Sequence, residues 1–175
     1  MKKLLYLCVL LAFCSCERTR INQANRQACR SPYLLAEIGD NLFVKAPNIF
    51  TPNGDNVNDA LTITFPVLLS EITDFKLEIL DGTNVLFTSF NPDEPWLGDF
   101  NDRAVPVGNY DFTLQFTYEG QSFSFESEVA IIRPPFREES RYILQNCNTC
   151  VFPDQFDVRG NDLFDTREPL GNICP

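Results

Sequence analysis

From about residue 41 onward, apolar and polar positions alternate with a period of two. Phe75, Leu77 and Ile79 are separated by Lys76 and Glu78, the pattern of a strand with one buried face. Asp81-Gly82 then supplies a turn and Asn84 to Phe90 a returning strand, which together predict a hairpin. Tyr110, Phe112, Leu114, Phe116 and Tyr118 alternate with Asp111, Thr113, Gln115 and Thr117, and Glu119-Gly120 turns the chain back. Phe123 and Phe125 continue the alternation, and Val129 to Ile132 predicts a further, more apolar strand. Phe43-Val44 and Leu61 to Phe65 predict strands near the start. Long amphipathic helices are missing; Leu34, Leu35 and Ile38 suggest one short helical turn at most. About seven short strands with turns between them describe an all-β chain folded as an antiparallel β-sandwich. Pro134-Pro135 ends it, because proline cannot donate to a central ladder.

The first residues follow a different pattern. Met1-Lys2-Lys3 precedes an apolar run, Leu4 to Phe13, then Cys14-Ser15-Cys16. A basic head, a brief apolar core and a small residue before a cysteine read as a bacterial lipoprotein signal. The core falls short of the ~20 residues a bilayer span needs. Cys16, after small Ser15, is the expected lipidation site; Cys14 follows bulky Phe13. The expected organisation is a signal peptide over 1–15, a lipidated tether over 16–40, the sandwich over 41–133 and a Cys-containing extension over 134–175.

Charge and cysteines narrow the chemistry. The formal net charge is −10, and loss of Lys2 and Lys3 with the signal makes it −12. Such a surface repels nucleic acid. The chain contains no histidine, which removes the usual general base and zinc ligand. No spacing singles out a carboxylate pair, so a non-enzymatic protein is expected. Beyond Cys16 four cysteines remain: Cys29, Cys147, Cys150 and Cys174. An even number in an exported chain predicts two disulfides, with three pairings open. Cys147-Asn148-Thr149-Cys150 is a CxxC, but its Pro- and Asn-rich surroundings lack the βαβ pattern of a redox site. The extension is polar and irregular, and disulfides would staple it.

One segment stands apart: Asn48-Ile49-Phe50-Thr51-Pro52-Asn53-Gly54-Asp55-Asn56-Val57-Asn58-Asp59-Ala60-Leu61. It resembles the opening signature of the gliding motility-associated C-terminal domain, which reads F-T-P-N-G-D-G-x-N-D. Here Asn56 stands where the family has its second glycine. Downstream, Phe75–Leu80, the turn Asp81-Gly82-Thr83-Asn84 and Val85-Leu86-Phe87 follow the family's strand–turn–strand order, without its turn tryptophan. Trp96-Leu97-Gly98 takes the place of W-D-G, Pro106-Val107-Gly108-Asn109-Tyr110 that of P-x-G-x-Y, and Val129 to Arg133 that of a last strand closing in arginine. The similarity covers about residues 46–133. It implies an immunoglobulin-like sandwich and a setting in the outer membrane of bacteria with type IX secretion, where the family's best-known role is as a sorting module. Here the chain runs on past Arg133, and an anchor is already expected at Cys16. The implied role is therefore protein contact rather than sorting.

The Asn53–Asp59 loop admits two readings. Asn53, Asp55 and Asp59 stand at positions one, three and seven, and the Val57 carbonyl at five, which suits calcium's oxygen ligands. Asn58 and Thr64 occupy the positions where an EF-hand loop has glycine and a bidentate acid. In the other reading the same side chains cap the local backbone. Trp96 is likewise either core packing or a sugar-stacking platform. The expected function is an outer-membrane lipoprotein presenting an immunoglobulin-like domain to a protein partner in a secretion or gliding complex; the alternative is a carbohydrate-binding accessory lipoprotein on the cell surface.

Overall fold

The computed structural model describes Cys29 and residues 31–133, 149–157 and 162–168. The expected signal peptide and the residues Cys16, Cys147 and Cys174 lie outside the described residues.

Among the described residues nine strands follow in order: β1 (Leu34–Gly39), β2 (Leu42–Ala46), β3 (Ile49–Phe50), β4 (Thr73–Asp81), β5 (Asn84–Ser89), β6 (Asp99–Phe100), β7 (Arg103–Ala104), β8 (Gly108–Tyr118) and β9 (Gln121–Ile131). Five form one sheet, in the order β3-β9-β8-β4-β5. Its pairs are antiparallel except β3 with β9, which run parallel. The opposing layer begins with the β1–β2 hairpin. It continues through bridges from Lys45 to Thr64 and from Leu61 to Trp96. The result is an immunoglobulin-like, predominantly antiparallel β-sandwich.

The core lies between the layers because the alternation of each strand points one face inward. Leu77 and Ile79 of β4, Phe112, Leu114 and Phe116 of β8 and Val129 and Ile131 of β9 meet Val44, Ala46, Leu61 and Trp96. Phe65 meets Phe116 edge to face at 5.1 Å between ring centroids. Tyr110 adds a feature familiar from immunoglobulin-like sandwiches. Near the start of β8, its hydroxyl donates 2.6 Å to the Pro106 carbonyl, four residues upstream. Burial and the negative charge of Asp81 push its phenol up to about 12, against the opposing pull of Arg133.

Three sequence expectations change. Leu34 to Gly39 is a strand and not a helical turn. Ala36 and Ile38 are buried while Leu35 and Glu37 face out, so the governing period is two. The residues from 121 to 131 form a single continuous strand, where the composition suggested a break before Val129; β9 matches β8 residue for residue from Tyr118–Gln121 to Gly108–Ile131. Leu61 to Phe65 is extended but makes only the two isolated bridges to Trp96 and Lys45.

Beyond the sandwich, the C-terminal segment lies on the outer face of β3 and β9. Phe152 is buried with Ile49, Ala130 and Ile132, and Cys29 and Cys150 join the same cluster. A disulfide links Cys29 to Cys150 across 121 residues of sequence. Among the described residues the segment includes a short 3-10 turn, Pro153–Gln155, and a bridge from Phe156 to Leu163. It is the irregular, disulfide-stapled tail the sequence leads one to expect. The Cys150 of the CxxC is thus bonded to Cys29.

Candidate functional site

The residues that stand apart in the sequence gather at one end of the sandwich. Trp96 is fully buried, so it offers no platform for a sugar. It packs edge to face against Phe50 at 5.6 Å and Tyr110 at 5.5 Å, and its indole N–H donates 2.9 Å to the Asp99 carbonyl. Arg133 donates to the Val105 carbonyl at 2.5 Å and the Gly98 carbonyl at 2.9 Å, tying together the two segments that flank β6 and β7. Its partial burial lowers the guanidinium pKa, against the raising effect of Tyr110. Gly98 sits at φ +72°, where a Cβ would come within 3.1 Å of Pro52. These groups hold the base of the loop that runs from Thr51 to Leu61.

The loop itself is built on Asp59. Its Oδ1 accepts from the backbone N–H groups of Asn53 and Gly54, each at 2.7 Å, and its Oδ2 from that of Asn56 at 2.7 Å. Burial acts to raise the Asp59 carboxyl, but the bonds from Gly54, Asn53 and Asn56 together outweigh it and hold it below its ordinary value. Asp55 Oδ1 accepts from Val57 N–H at 2.8 Å and Oδ2 from the Asn53 amide at 3.0 Å. Asn53 Oδ1 accepts the Asp55 N–H at 2.9 Å. Asn56 and Asn58 take φ values of 65° and 51°. This is the left-handed region that glycine enters most easily and asparagine tolerates. Asn56 therefore fits the place of the family's second glycine.

The four predicted ligand residues, Asn53, Asp55, Val57 and Asp59, do lie in one tight loop. The Asn53, Asp55 and Asp59 side-chain oxygens all face N–H donors, so amide dipoles converge where a cation would need open oxygens. Among the described residues no three acidic or cysteine side chains gather to hold a metal ion. We read this arrangement as a capped turn.

Three polar side chains of the same segment reach the C-terminal tail. Asn48, almost wholly buried, donates through Nδ2 to the Ser31 carbonyl at 2.9 Å and the Thr149 carbonyl at 2.7 Å. Its Oδ1 accepts from Val151 N–H at 2.8 Å. Asn58 Oδ1 accepts from Asp154 N–H at 2.9 Å. Thr51 Oγ1 donates 2.6 Å to Glu168 Oε2, and Asn58 Nδ2 donates to the same oxygen at 3.2 Å. Glu168 is only 5 % exposed, and its Oε1 is buried with no hydrogen-bond partner among the described residues. Burial raises the Glu168 carboxyl; Thr51 and Asn58 pull it down, Asp55 and Asp154 push it up, and the outcome is a raised value. The roles of Asn48, Thr51 and Glu168 were not foreseen from sequence. The motif's density of amides was the only signal, and it named no partner.

Residues 44–128 match the CHU_C Type IX secretion signal domain. Over that stretch the chain is similar to a type IX secretion signal domain. The match runs from within β2 to within β9 and includes the whole signature loop, in agreement with the resemblance drawn from Asn48 to Leu61. Comparison with curated proteins and with solved structures found no match. Within the matched stretch, the signature loop faces the chain's own C-terminal segment through Thr51 and Asn58.

Proposed function

We propose that this type IX secretion-related protein is a non-enzymatic lipoprotein of the outer membrane that presents its immunoglobulin-like domain to a protein partner in a secretion or gliding complex. The observation that carries this reading is the type IX secretion signal domain over residues 44–128, with its signature loop locked around Asp59. The sequence reading of Cys16 as a lipidation site supplies the anchor. Exposed apolar side chains support a protein partner: Phe90 follows β5, Leu97 precedes β6 and Phe100 ends it, and all three are exposed. Large apolar side chains left in solvent are available for protein contact. The buried position of Trp96 removes the residue on which a sugar-binding reading rested.

The test is mild crosslinking of whole cells followed by purification of the full chain from detergent-solubilised membranes. The expected result is a reproducible protein partner whose yield falls when Phe90 and Leu97 are replaced by serine. A chain recovered alone that binds immobilised envelope glycan would overturn the proposal.

A further inference from the structure

We propose that the edge of β9 from Gln121 to Ser127 is an acceptor for a further strand, supplied by an extended segment of a protein partner that alternates apolar with basic residues.

The main chain of β9 is bonded on both sides only at its end. β8 pairs with it in unbroken register from Gln121 to Ile131, whereas β3 pairs with it only at Ala130 and Ile131. The Ala130 N–H donates 2.8 Å to the Asn48 carbonyl, so the even-numbered residues of β9 turn their N–H and C=O groups away from β8. Ser122, Ser124 and Glu126 therefore direct theirs outward, where no strand among the described residues pairs with them, and all three residues are exposed. Free edges are commonly blunted by lysine, proline or a bulge. Gln121 to Ser127 contains neither residue, and its register with β8 shows no bulge.

The side chains along this edge suit an added strand. The odd-numbered residues face the core. Phe123 lies 5.3 Å from Phe116 and 6.3 Å from Phe125, with the rings close to parallel. Phe112, Leu114 and Phe116 of β8 are buried, but Phe123 and Phe125 are only half-buried. A groove of about 290 Å³ opens beside Phe123, lined also by Gln121 and by Glu37, Ile38 and Gly39 of β1. β1 pairs only with β2, so its other edge forms the far bank. A strand seated against β9 would lay alternate side chains on Phe123 and Phe125 and turn the rest to the face of Ser122 and Ser124. Main-chain bonds would supply affinity and the alternating side chains specificity.

Charge selects the occupant. Glu37 in the groove and Glu126 on the edge are both exposed carboxylates, and no basic residue lines the groove. A second copy of this chain, with its formal net charge of −10, would bring the same carboxylates to the same edge. A segment with lysine or arginine at its polar positions meets them with the opposite sign. The site lies across the sheet from β5, away from Phe90, Leu97 and Phe100, so this inference and the crosslinking result can fail separately.

The test uses the purified full chain and a synthetic peptide of alternating valine and lysine, with a peptide of the same composition in two blocks as control. In the chain alone, hydrogen exchange should be fast at the Ser122, Ser124 and Glu126 amides and slow at Phe123 and Phe125, whose N–H groups face β8. We expect the alternating peptide to protect the first three amides saturably and the block peptide to leave them unchanged. Ser124→Pro removes an outward N–H, spares the β8 ladder and should weaken binding about tenfold. Glu126→Lys, at an exposed side chain, should weaken it about two- to fivefold and reads the same edge if the proline variant does not fold. Four results would each overturn the proposal: protection of the three amides in the chain alone, including protection that grows with chain concentration as a second copy would produce; peptide binding that leaves them unprotected; equal binding of the block peptide; and Glu126→Lys binding as tightly as the native chain.

Discussion

Replacing Asn48 with alanine should loosen two segments at once, the one at Ser31 and the C-terminal one at Thr149 and Val151, because this one side chain bonds the Ser31 carbonyl, the Thr149 carbonyl and the Val151 N–H. The magnitude can be built contact by contact. Ser31 is half-buried and Thr149 is exposed, so water can replace the lost donors there, and each bond is worth only about 0.5 kcal/mol net. Val151 is buried, so its N–H is left without an acceptor, at a cost of about 1–3 kcal/mol. The expected loss is roughly 2–4 kcal/mol, or roughly 4–16 °C in Tm for a chain of this size. Equilibrium urea unfolding under oxidising conditions, with the disulfide intact in both proteins, measures it. Asn48→Asp sharpens the test. It keeps an acceptor for Val151 but sets a negative charge against two carbonyls, so it should lose as much as alanine or more. A loss under about 0.5 kcal/mol in Asn48→Ala would refute the claim that this residue fastens the tail to β3.

Four further outcomes follow from the same contacts. Cys29→Ser/Cys150→Ser opens a 121-residue loop and should cost about 3–5 kcal/mol in urea unfolding, and non-reducing peptide mapping of the native chain should join these two residues. Gly98→Ala places a Cβ 3.1 Å from Pro52 at a φ of +72°, for an expected loss of about 1–3 kcal/mol by thermal denaturation. Asp59→Asn should cost about 1 kcal/mol or less at neutral pH, since the loop is exposed; the native contribution is present above the ordinary carboxyl value and is lost as pH falls through the depressed one, so the two proteins converge in acid. Millimolar calcium should leave Tm where a chelator leaves it. A rise of several degrees that Asp55→Asn/Asp59→Asn abolishes would restore the cation reading of the loop.

What could be read from sequence was whatever is written in local periodicity. The β8–β9 hairpin was legible because Tyr110 to Tyr118 alternate without a break and Glu119-Gly120 marks the turn, with φ of 50° and 78° at those two residues. β1 was misread because Leu34 and Leu35 are adjacent and Ala36, which is buried, carries little hydrophobic signal. Leu61 to Phe65 has the alternation of a strand, but alternation says which face is buried and not how many ladder bonds a neighbour will supply. The loop was legible as a tight turn, since Asn, Asp and Gly are the residues that bond their own backbone or take positive φ. Whether its carboxylates faced a cation or the chain's own N–H groups was not, because both uses select the same residue types. The tail's docking lay furthest out of reach. Glu168 meets Thr51 and Asn58 across more than 100 residues, and Asn48 meets Val151 across a similar span. No local pattern encodes such pairs. The three possible cysteine pairings were equally open, and Cys29–Cys150 emerges only once the tail is seated on β3 and β9.

The measurement that bears most directly on the account is intact-mass analysis of the full chain purified from fractionated native cells. The account predicts an outer-membrane species whose N-terminal residue is Cys16, heavier than the bare polypeptide by a thioether-linked diacylglycerol with its acyl chains, and a Cys16→Ala chain that stays an unprocessed precursor without added lipid. A soluble native chain with an unmodified Cys16, or a Cys16→Ala chain that still matures and carries lipid, would contradict it.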